Sequence, residues 1–192
     1  MSIIEGTAYP LGLDDVDTDM IIPADWLKTV GRTGFAEGVF APLRKGGDGL
    51  FDDPRFAGSP ILIAGRNFGC GSSREHAVWA LLELGIKAVI ARSFSDIFAS
   101  NAFKNGMLAI VLDEQKLTRL LEAARHSTIR LDLPKQVLTT SAGDHFAFDF
   151  DAFRKDCLTR GVDEIGLSEL QADKIESFES RTKTERPFFQ EV

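Results

Sequence analysis

The segment Asn67-Phe-Gly-Cys-Gly-Ser-Ser-Arg-Glu-His76 carries most of the side chains that could do chemistry in this sequence. It lies between an apolar run that predicts a strand and a run that predicts a helix. Free backbone N–H groups and the positive end of a helix dipole meet at such a junction, which favours an anion. Ser72 and Ser73 add hydroxyl donors, and Arg74 adds a planar cation suited to a carboxylate. The segment therefore predicts a site for a carboxylate.

Other interpretations of the same residues remain open. By spacing alone, Ser72-x-x-Glu75 favours a capping box, in which the serine only satisfies a backbone amide. A cysteine near a helix N-terminus is acidified, so Cys70 is a candidate nucleophile of a hydrolase, but no histidine stands at a diagnostic spacing. His76 lies inside the predicted helix, where a packed or hydrogen-bonded role is typical. The glycines of 65–72 resemble a phosphate loop without the P-loop lysine, which leaves a nucleotide-binding regulatory module as an alternative.

Composition limits the class of protein. The chain has 192 residues, enough for one domain with a hydrophobic core. Its net charge of −7 argues against non-specific nucleic-acid binding, which needs a basic face. No apolar run approaches the roughly 18 residues of a membrane span, and the first residues lack a signal-peptide pattern, so we expect a cytoplasmic protein. Two distant cysteines, Cys70 and Cys157, indicate reduced thiols and cannot by themselves hold an iron–sulfur cluster.

Predicted strands and helices that alternate along the chain must position the segment 67–76. Apolar runs predict strands at 60–64, 87–91 and 107–112, with helices at 74–84, at 95–104 and after a cap at Asp113. This alternation predicts α/β architecture with parallel strand pairs. Strand-like stretches follow at 128–133, 136–140 and 145–150, with a hairpin turn at 141–144, and then helices at 152–159 and about 168–180. The glycine-rich stretch 31–58 predicts a long mobile loop.

The segment 67–76 resembles the signature of the swivelling domain of the aconitase superfamily. The entry strand of that domain is resembled by Asp17-Thr-Asp-Met-Ile-Ile-Pro23. The strand and helix that follow the signature are resembled by Ser93-Phe-Ser-Asp-Ile-Phe-Ala-Ser-Asn-Ala-Phe-Lys-Asn-Gly106. Trp26-Leu-Lys-Thr, followed by Arg32-Thr-Gly-Phe35, is similar to the substrate loop of bacterial isopropylmalate isomerase small subunits. The resemblance implies one swivelling β/β/α domain over 1–192, a mixed sheet with parallel core strands and flanking helices. It makes 31–58 the substrate loop and 160–192 a helical C-terminal extension.

The resemblance also implies an activity. Members of this family are hydro-lyase subunits that isomerise 2-isopropylmalate to 3-isopropylmalate through isopropylmaleate in leucine biosynthesis. A [4Fe–4S] cluster in the large subunit acts as Lewis acid on the leaving hydroxyl, which agrees with the low cysteine count of this chain. We therefore expect an obligate large-subunit partner, a dicarboxylate substrate, and neither a nucleic acid nor a membrane as partner. A related small subunit, of the homoaconitase or methylmalate type, is the alternative within the class.

The resemblance assigns catalytic roles to two positions. Ser72 matches the serine that abstracts a proton from carbon, and Asp19 matches an active-site aspartate whose expected task is to orient its partners. A serine alkoxide is far too basic in water, so the helix N-terminus and nearby cations must stabilise it. A base also cannot stay locked in a capping bond during turnover. Either Ser73 is then the cap, or the backbone amides face the alkoxide.

Substrate binding is assigned to four further positions. Ser73 and Arg74 match residues that bind a substrate carboxylate. Lys28 and Arg32 lie on the loop that reads the side group or the second carboxylate of the substrate. Their ordinary interpretation is a solvated surface charge, which is the commoner role of such residues.

Overall fold

A computed structural model of the chain describes residues 2–27, 33–44, 49–72, 74–162 and 172–185. Its strands are β1 (Ile3–Gly6), β2 (Ala8–Pro10), β3 (Ile61–Ile63), β4 (Ala88–Ala91), β5 (Leu108–Val111), β6 (Ile129–Asp132), β7 (Val137–Thr140) and β8 (His145–Ala147). Its helices are α1 (Thr18–Ile21), α2 (His76–Glu83), α3 (Asp96–Lys104), α4 (Glu114–Ala124), α5 (Ala152–Arg160) and α6 (Ala172–Glu185). The predicted order of elements is thereby confirmed in the described ranges.

The parallel sheet positions the candidate site. Its strands run in the order β2-β3-β4-β5, and every neighbouring pair is parallel. Helices α2 and α3 connect successive strands, as parallel neighbours require a crossover. The segment 67–76 leaves the carboxyl end of β3, which is the edge where sites form in open parallel sheets. The predicted α/β class with parallel core strands and flanking helices is confirmed.

The antiparallel strands form a sheet of their own, in the order β1-β6-β7-β8. The sequence predicted one mixed sheet, whereas the structure separates the two kinds of pairing. The chain passes from one sheet to the other at Thr7, between β1 and β2. Hairpins join β6, β7 and β8, and the turn before β8 has Gly143 at φ 95°, as the predicted turn at 141–144 requires. Antiparallel pairing needs only such short turns, so these strands assemble without crossover helices.

Two apolar cores lie on opposite faces of the parallel sheet. Alternate strand residues such as Leu62 and Val89 join the core beneath α2 and α3. Their neighbours Ile61, Ile63 and Ile90 join the second core, with α4 and the antiparallel sheet. Because side chains alternate across a strand, strands buried on both faces read as continuous apolar runs. This explains why the three apolar runs were recognisable as strands.

The described parts of the glycine-rich stretch contribute to the first core. Short 3-10 turns occur at Ala36–Gly38 and Ala41–Leu43. Phe35, Phe40, Phe51 and Phe56 are buried, and the rings of Phe40 and Phe51 stack with centroids 4.2 Å apart. Much of this stretch is therefore anchored by aromatic packing. Its mobility stays a prediction, and residues 28–32 and 45–48 lie outside the described residues.

The C-terminal part ends on two helices. Helix α5 ends at Gly161, which has φ 72° and donates its N–H to the Cys157 carbonyl at 2.8 Å, as predicted for a glycine cap. Helix α6 covers part of the helix predicted at about 168–180, and its described side chains from 172 to 180 are exposed. Residues 163–171 and the tail 186–192 lie outside the described residues. Within those limits, no helix has the length and apolar character needed to cross a membrane.

Candidate functional site

The turn after β3 is aligned with a turn that follows β2 and contains four aspartates between residues 14 and 19, here called the acidic turn. Asp17 and Cys70 form a parallel bridge, and the Gly69 amide donates to the Val16 carbonyl at 2.8 Å. The Thr18 amide donates to the Cys70 carbonyl at 3.1 Å. These bonds hold two irregular segments, about fifty residues apart in sequence, side by side. They bring the predicted catalytic residues of both segments to one place.

Ser72 is exposed and hydrogen-bonded to a buried threonine. Its Oγ lies 3.1 Å from Thr18 Oγ1, and the Thr18 hydroxyl also donates to the Ser72 carbonyl at 3.1 Å. The capping box favoured by spacing is wrong, because α2 begins at His76 rather than at 74. The N-cap of α2 is Glu75, whose side chain accepts a hydrogen bond from Asn105 Nδ2 at 2.7 Å. Ser72 is thus not sealed in a local cap.

Arg74 and Asp19 form an ion pair between the same two segments. Arg74 Nη1 donates to Asp19 Oδ1, with the arginine side chain 25% exposed and the aspartate side chain 56% exposed. Asp19 belongs to α1, whose N-cap Asp17 accepts from the Met20 amide at 2.7 Å. The carboxylate therefore holds the guanidinium in place from a short, well-capped helix. The partial exposure of Arg74 leaves its remaining N–H groups able to meet a second carboxylate.

The acidic turn also ties down the start of the signature segment. Arg66 Nη2 donates to Asp15 Oδ2 at 2.7 Å, and Asn67 Nδ2 donates to Asp15 Oδ1 at 2.8 Å. Both Asp15 and Asn67 have positive φ, at 52° and 58°, a conformation that asparagine and aspartate tolerate better than most residues. The side chains thus compensate for a strained path and fix the direction in which the segment runs toward Ser72.

The remaining assigned residues lie outside the described ranges. Ser73, Lys28 and Arg32 are among them, so their binding roles stay predictions. The loop that contains Arg32 is nevertheless anchored at its described end. Glu83 of α2 accepts hydrogen bonds from the Gly34 and Phe35 amides, both at 2.8 Å. This carboxylate joins the predicted substrate loop to the helix that follows Ser72.

Sequence reasoning missed two residues that hold the candidate segments in place, Thr18 and Glu83. Thr18 stands between two aspartates in the quoted stretch 17–23, and this position was the only available signal. Glu83 lies near the end of a predicted helix, where nothing local distinguishes it from a solvated charge. His76 was predicted to be a packed residue. Its ring centroid lies 5.9 Å from that of Phe35 and 4.7 Å from that of Trp79, which agrees with this prediction.

Comparisons with known proteins place this geometry in a family. The model of the aconitase C-terminal domain matches residues 1–115. The 3-isopropylmalate dehydratase small subunit of Novosphingobium aromaticivorans is 55% identical over 96% of this chain and 92% of its own. That of Zymomonas mobilis is 55% identical over 98% of both chains. The chain belongs to the 3-isopropylmalate dehydratase small subunits. The family resemblance predicted from the motifs is thereby confirmed.

A solved structure extends the comparison to the fold of these small subunits. The crystal structure of 3-isopropylmalate dehydratase from Methanocaldococcus jannaschii aligns with a TM-score of 0.67 and 29% identity. The alignment covers 91% of this chain and 99% of that chain. The aconitase-like architecture is therefore shared over nearly the full length of both proteins.

The nucleotide-loop alternative conflicts with the hydrogen bonds of this small subunit. A phosphate loop needs unpaired backbone amides that point at the ligand. Here the consecutive amides of 65–69 all donate within the fold. Their acceptors are the Leu13 carbonyl, Asp14 Oδ1, Ser93 Oγ, the Ser93 carbonyl and the Val16 carbonyl. The acidic turn and Ser93 therefore take up these five amides, and none of the five is free for a phosphate.

The alternative of a hydrolase with Cys70 as its nucleophile is also disfavoured. Burial, together with the charges of Asp17 and Asp15, raises the pKa of the Cys70 thiol above its ordinary value. A nucleophilic cysteine needs the opposite shift, because the thiolate is the reactive form. The helix N-terminus that would acidify it begins only at His76.

We expect Cys70 to react slowly with iodoacetamide at neutral pH. Its raised pKa leaves a smaller thiolate fraction than a free cysteine has, so the rate increases only as the pH rises. Peptide mass spectrometry separates its modification from that of Cys157, which is buried. The same protein in urea serves as the control and should react faster. Rapid alkylation of folded Cys70 at neutral pH would contradict the assignment.

The residues of this subunit do not fit an iron–sulfur cluster. In the described ranges, no group of three or more His, Cys, Asp or Glu side chains is placed to hold a metal ion. The full sequence has only two cysteines, whereas a cluster takes about three or four thiolates. A cluster in the assembled enzyme must therefore take its ligands from another subunit.

Proposed function

We propose that the chain is the small subunit of a cytoplasmic hydro-lyase that isomerises 2-isopropylmalate to 3-isopropylmalate through isopropylmaleate in leucine biosynthesis. It acts with a large subunit that carries the [4Fe–4S] cluster. One observation carries the proposal: two segments at the carboxyl edge of the parallel sheet are joined by the Ser72–Thr18 hydrogen bond and by the Arg74–Asp19 ion pair, with Ser72 exposed. The 55% identity to small subunits of this enzyme supports it.

Ser72 acts as the base on the substrate carbon. In its alkoxide form it takes a proton from the methylene carbon of 2-isopropylmalate, so a C–H bond breaks and the serine O–H forms. The electron pair becomes the double bond of isopropylmaleate as the hydroxyl leaves the neighbouring carbon, which carries the isopropyl group. In the return step, the hydroxyl adds to the former methylene carbon, and the isopropyl-bearing carbon takes the proton from Ser72. The cycle therefore regenerates the alkoxide.

Arg74 binds a substrate carboxylate and adds positive charge near the alkoxide. An arginine presents a planar fork that matches a carboxylate with two parallel hydrogen bonds. Asp19 orients this fork, which leaves the guanidinium less freedom to lose on binding. Ser73, Lys28 and Arg32 complete the proposed binding set, with the loop residues reading the side group or the second carboxylate. A binding set with several cations fits a diacid, which is the expected substrate class.

We expect Arg74→Lys to raise the KM for 2-isopropylmalate about tenfold, because lysine keeps the charge but loses the bidentate geometry. Steady-state kinetics of the enzyme reconstituted with its large subunit measure this change. Arg130→Lys is the matched control, since Arg130 forms an ion pair with Glu5 in the antiparallel sheet, away from the site. Equal KM values for both variants would remove Arg74 from the substrate-binding set.

The proposed function is tested by co-expression with the large subunit and a substrate panel. The chain alone should be colourless and inactive, whereas the complex should form isopropylmaleate, which is followed by its ultraviolet absorbance. The panel contains 2-isopropylmalate, homocitrate, citrate and methylated malates. Turnover of homocitrate or a methylmalate without turnover of 2-isopropylmalate would replace the proposed substrate while keeping the reaction class.

A further inference from the structure

We propose that Thr18 is a positioning residue that directs the Ser72 hydroxyl and stabilises its deprotonated form. This inference rests on the proposed function, because it assigns a task to a neighbour of the proposed base. Thr18 is only 2% exposed, and its side chain lies directly against the exposed Ser72. Its Oγ1 is 3.1 Å from both Ser72 Oγ and the Ser72 carbonyl oxygen.

The number of protons available fixes the direction of these hydrogen bonds. A threonine hydroxyl has one proton to donate and two lone pairs to accept with. Since the Thr18 proton goes to the Ser72 carbonyl, the bond between the two hydroxyls must be donated by Ser72. The serine proton is thereby directed inward to Thr18, and its lone pairs are left on the exposed side, where a substrate approaches.

Loss of the serine proton changes this pattern by one bond rotation. The Thr18 hydroxyl then turns from the Ser72 carbonyl to donate to the Ser72 alkoxide, at the same oxygen–oxygen separation. When the alkoxide takes the proton from the substrate carbon, Ser72 again donates to Thr18, and the Thr18 proton returns to the carbonyl. No proton leaves Thr18 at any point. A hydrogen bond to a charged acceptor is stronger than one to a neutral acceptor, so the switch favours the deprotonated serine.

The backbone around Thr18 holds the donor in place. Its amide donates to the Cys70 carbonyl at 3.1 Å, and its carbonyl accepts from the Ile22 amide at 2.9 Å. The preceding residue, Asp17, caps the same short helix. A donor that is already fixed needs little reorganisation when charge develops, which is the condition for effective electrostatic stabilisation.

A purely structural role explains these contacts less well. Valine has the same shape as threonine without the hydroxyl, so it fills a buried position of this kind. The Ser72 carbonyl belongs to an exposed residue, and water can serve as its donor if the threonine hydroxyl is removed. Packing therefore requires the methyl group of Thr18, whereas only the serine chemistry requires its hydroxyl.

The test compares variants that differ in one hydroxyl, in the complex with the large subunit. We expect Thr18→Val to lower kcat about 10- to 100-fold, as removal of a donor to a charged oxygen does, with KM changed by about twofold at most. Thr18→Ser should stay within about threefold of the unmodified enzyme, whereas Thr18→Ala should lose activity as the valine variant does. With substrate deuterated at the carbon that loses its proton, the isotope effect on kcat should increase in Thr18→Val.

Comparison of Thr18→Ser with Thr18→Ala keeps the test decisive if Thr18→Val does not fold, because serine and alanine differ only in the hydroxyl. Thr140→Val is the control for loss of a buried, hydrogen-bonded threonine hydroxyl elsewhere and should keep its activity. Full activity of Thr18→Val, or equal losses in the serine and alanine variants with an unchanged isotope effect, would overturn the role of Thr18. If Ser72→Ala also remains active, the proposed base fails with it. Inactivity of the unmodified complex on 2-isopropylmalate would instead reject the proposed substrate.

Discussion

Ser72→Ala is expected to reduce isomerisation of 2-isopropylmalate by about 10³-fold or more, since proton transfer by a positioned side chain contributes up to about 10⁴-fold. Ser72 is exposed, and its hydroxyl makes one hydrogen bond with Thr18. Loss of that bond should therefore change the free energy of unfolding by about 1 kcal/mol or less. The measurements are the initial rate of isopropylmaleate formation by the reconstituted complex and urea unfolding of the variant chain.

Cys70→Ser is the matched control for this substitution, because it changes a neighbouring side chain of the same turn by a single atom. Since the raised pKa of the thiol disfavours a chemical role, the variant should keep its activity. Substrate binding by Ser72→Ala should persist, because Arg74 remains paired with Asp19. An active alanine variant, or an inactive Cys70→Ser with an intact fold, would transfer the proposed chemistry to another residue.

The second large effect is expected at Gly69, where the chain passes beneath the first core. Gly69 has φ 75°, which side-chain-bearing residues rarely adopt. A methyl group there would also lie 2.5 Å from Phe98 Cβ, so helix α3 would have to move. The Phe98 ring is buried and packs edge-on against Phe68 with centroids 5.1 Å apart, so a displacement of the ring would disturb this packing.

Gly69→Ala should therefore lower the free energy of unfolding by about 2–5 kcal/mol, as the sum of left-handed backbone strain and overpacking. Urea unfolding of the full chain, followed by circular dichroism, measures this loss. Gly143→Ala separates the two contributions, because Gly143 has φ 95° but nothing within 4 Å of an added methyl group. It should lose only about 1–2 kcal/mol. Equal losses in both variants would mean that the contact with Phe98 is easily relieved.

The expected activity of the Gly69 variant connects stability with function. The Gly69 amide holds Val16, and the next residue of the chain accepts from the Thr18 amide. A displaced Gly69 would therefore shift the alignment between the acidic turn and Ser72. Any folded fraction of the variant should be less active per molecule than the unmodified chain.

Local patterns were sufficient for the elements themselves. Asp113 was predicted as a helix cap, and its side chain accepts from the Lys116 amide at 2.9 Å. Gly85 and Gly161 were predicted to end helices, and both have positive φ. These signals are reliable because a cap or a left-handed residue acts within one turn of the chain. The predicted start of α2, at residue 74, was two residues too early. The capping box present in the sequence is not formed, because its serine forms a hydrogen bond with a distant segment instead.

The sequence by itself determined the class of fold, the family and the type of chemistry, because these depend on apolar periodicity and on the contiguous motif 67–76. Only the tertiary structure decided that parallel and antiparallel strands lie in separate sheets, that Arg74 is oriented by Asp19 and that the Ser72 hydroxyl is bound by Thr18. Thr18 and Ser72 are 54 residues apart, and no local window contains both. Which hydroxyl a serine bonds to is settled by how two segments align in the fold, since a local cap and a long-range partner compete for the same oxygen.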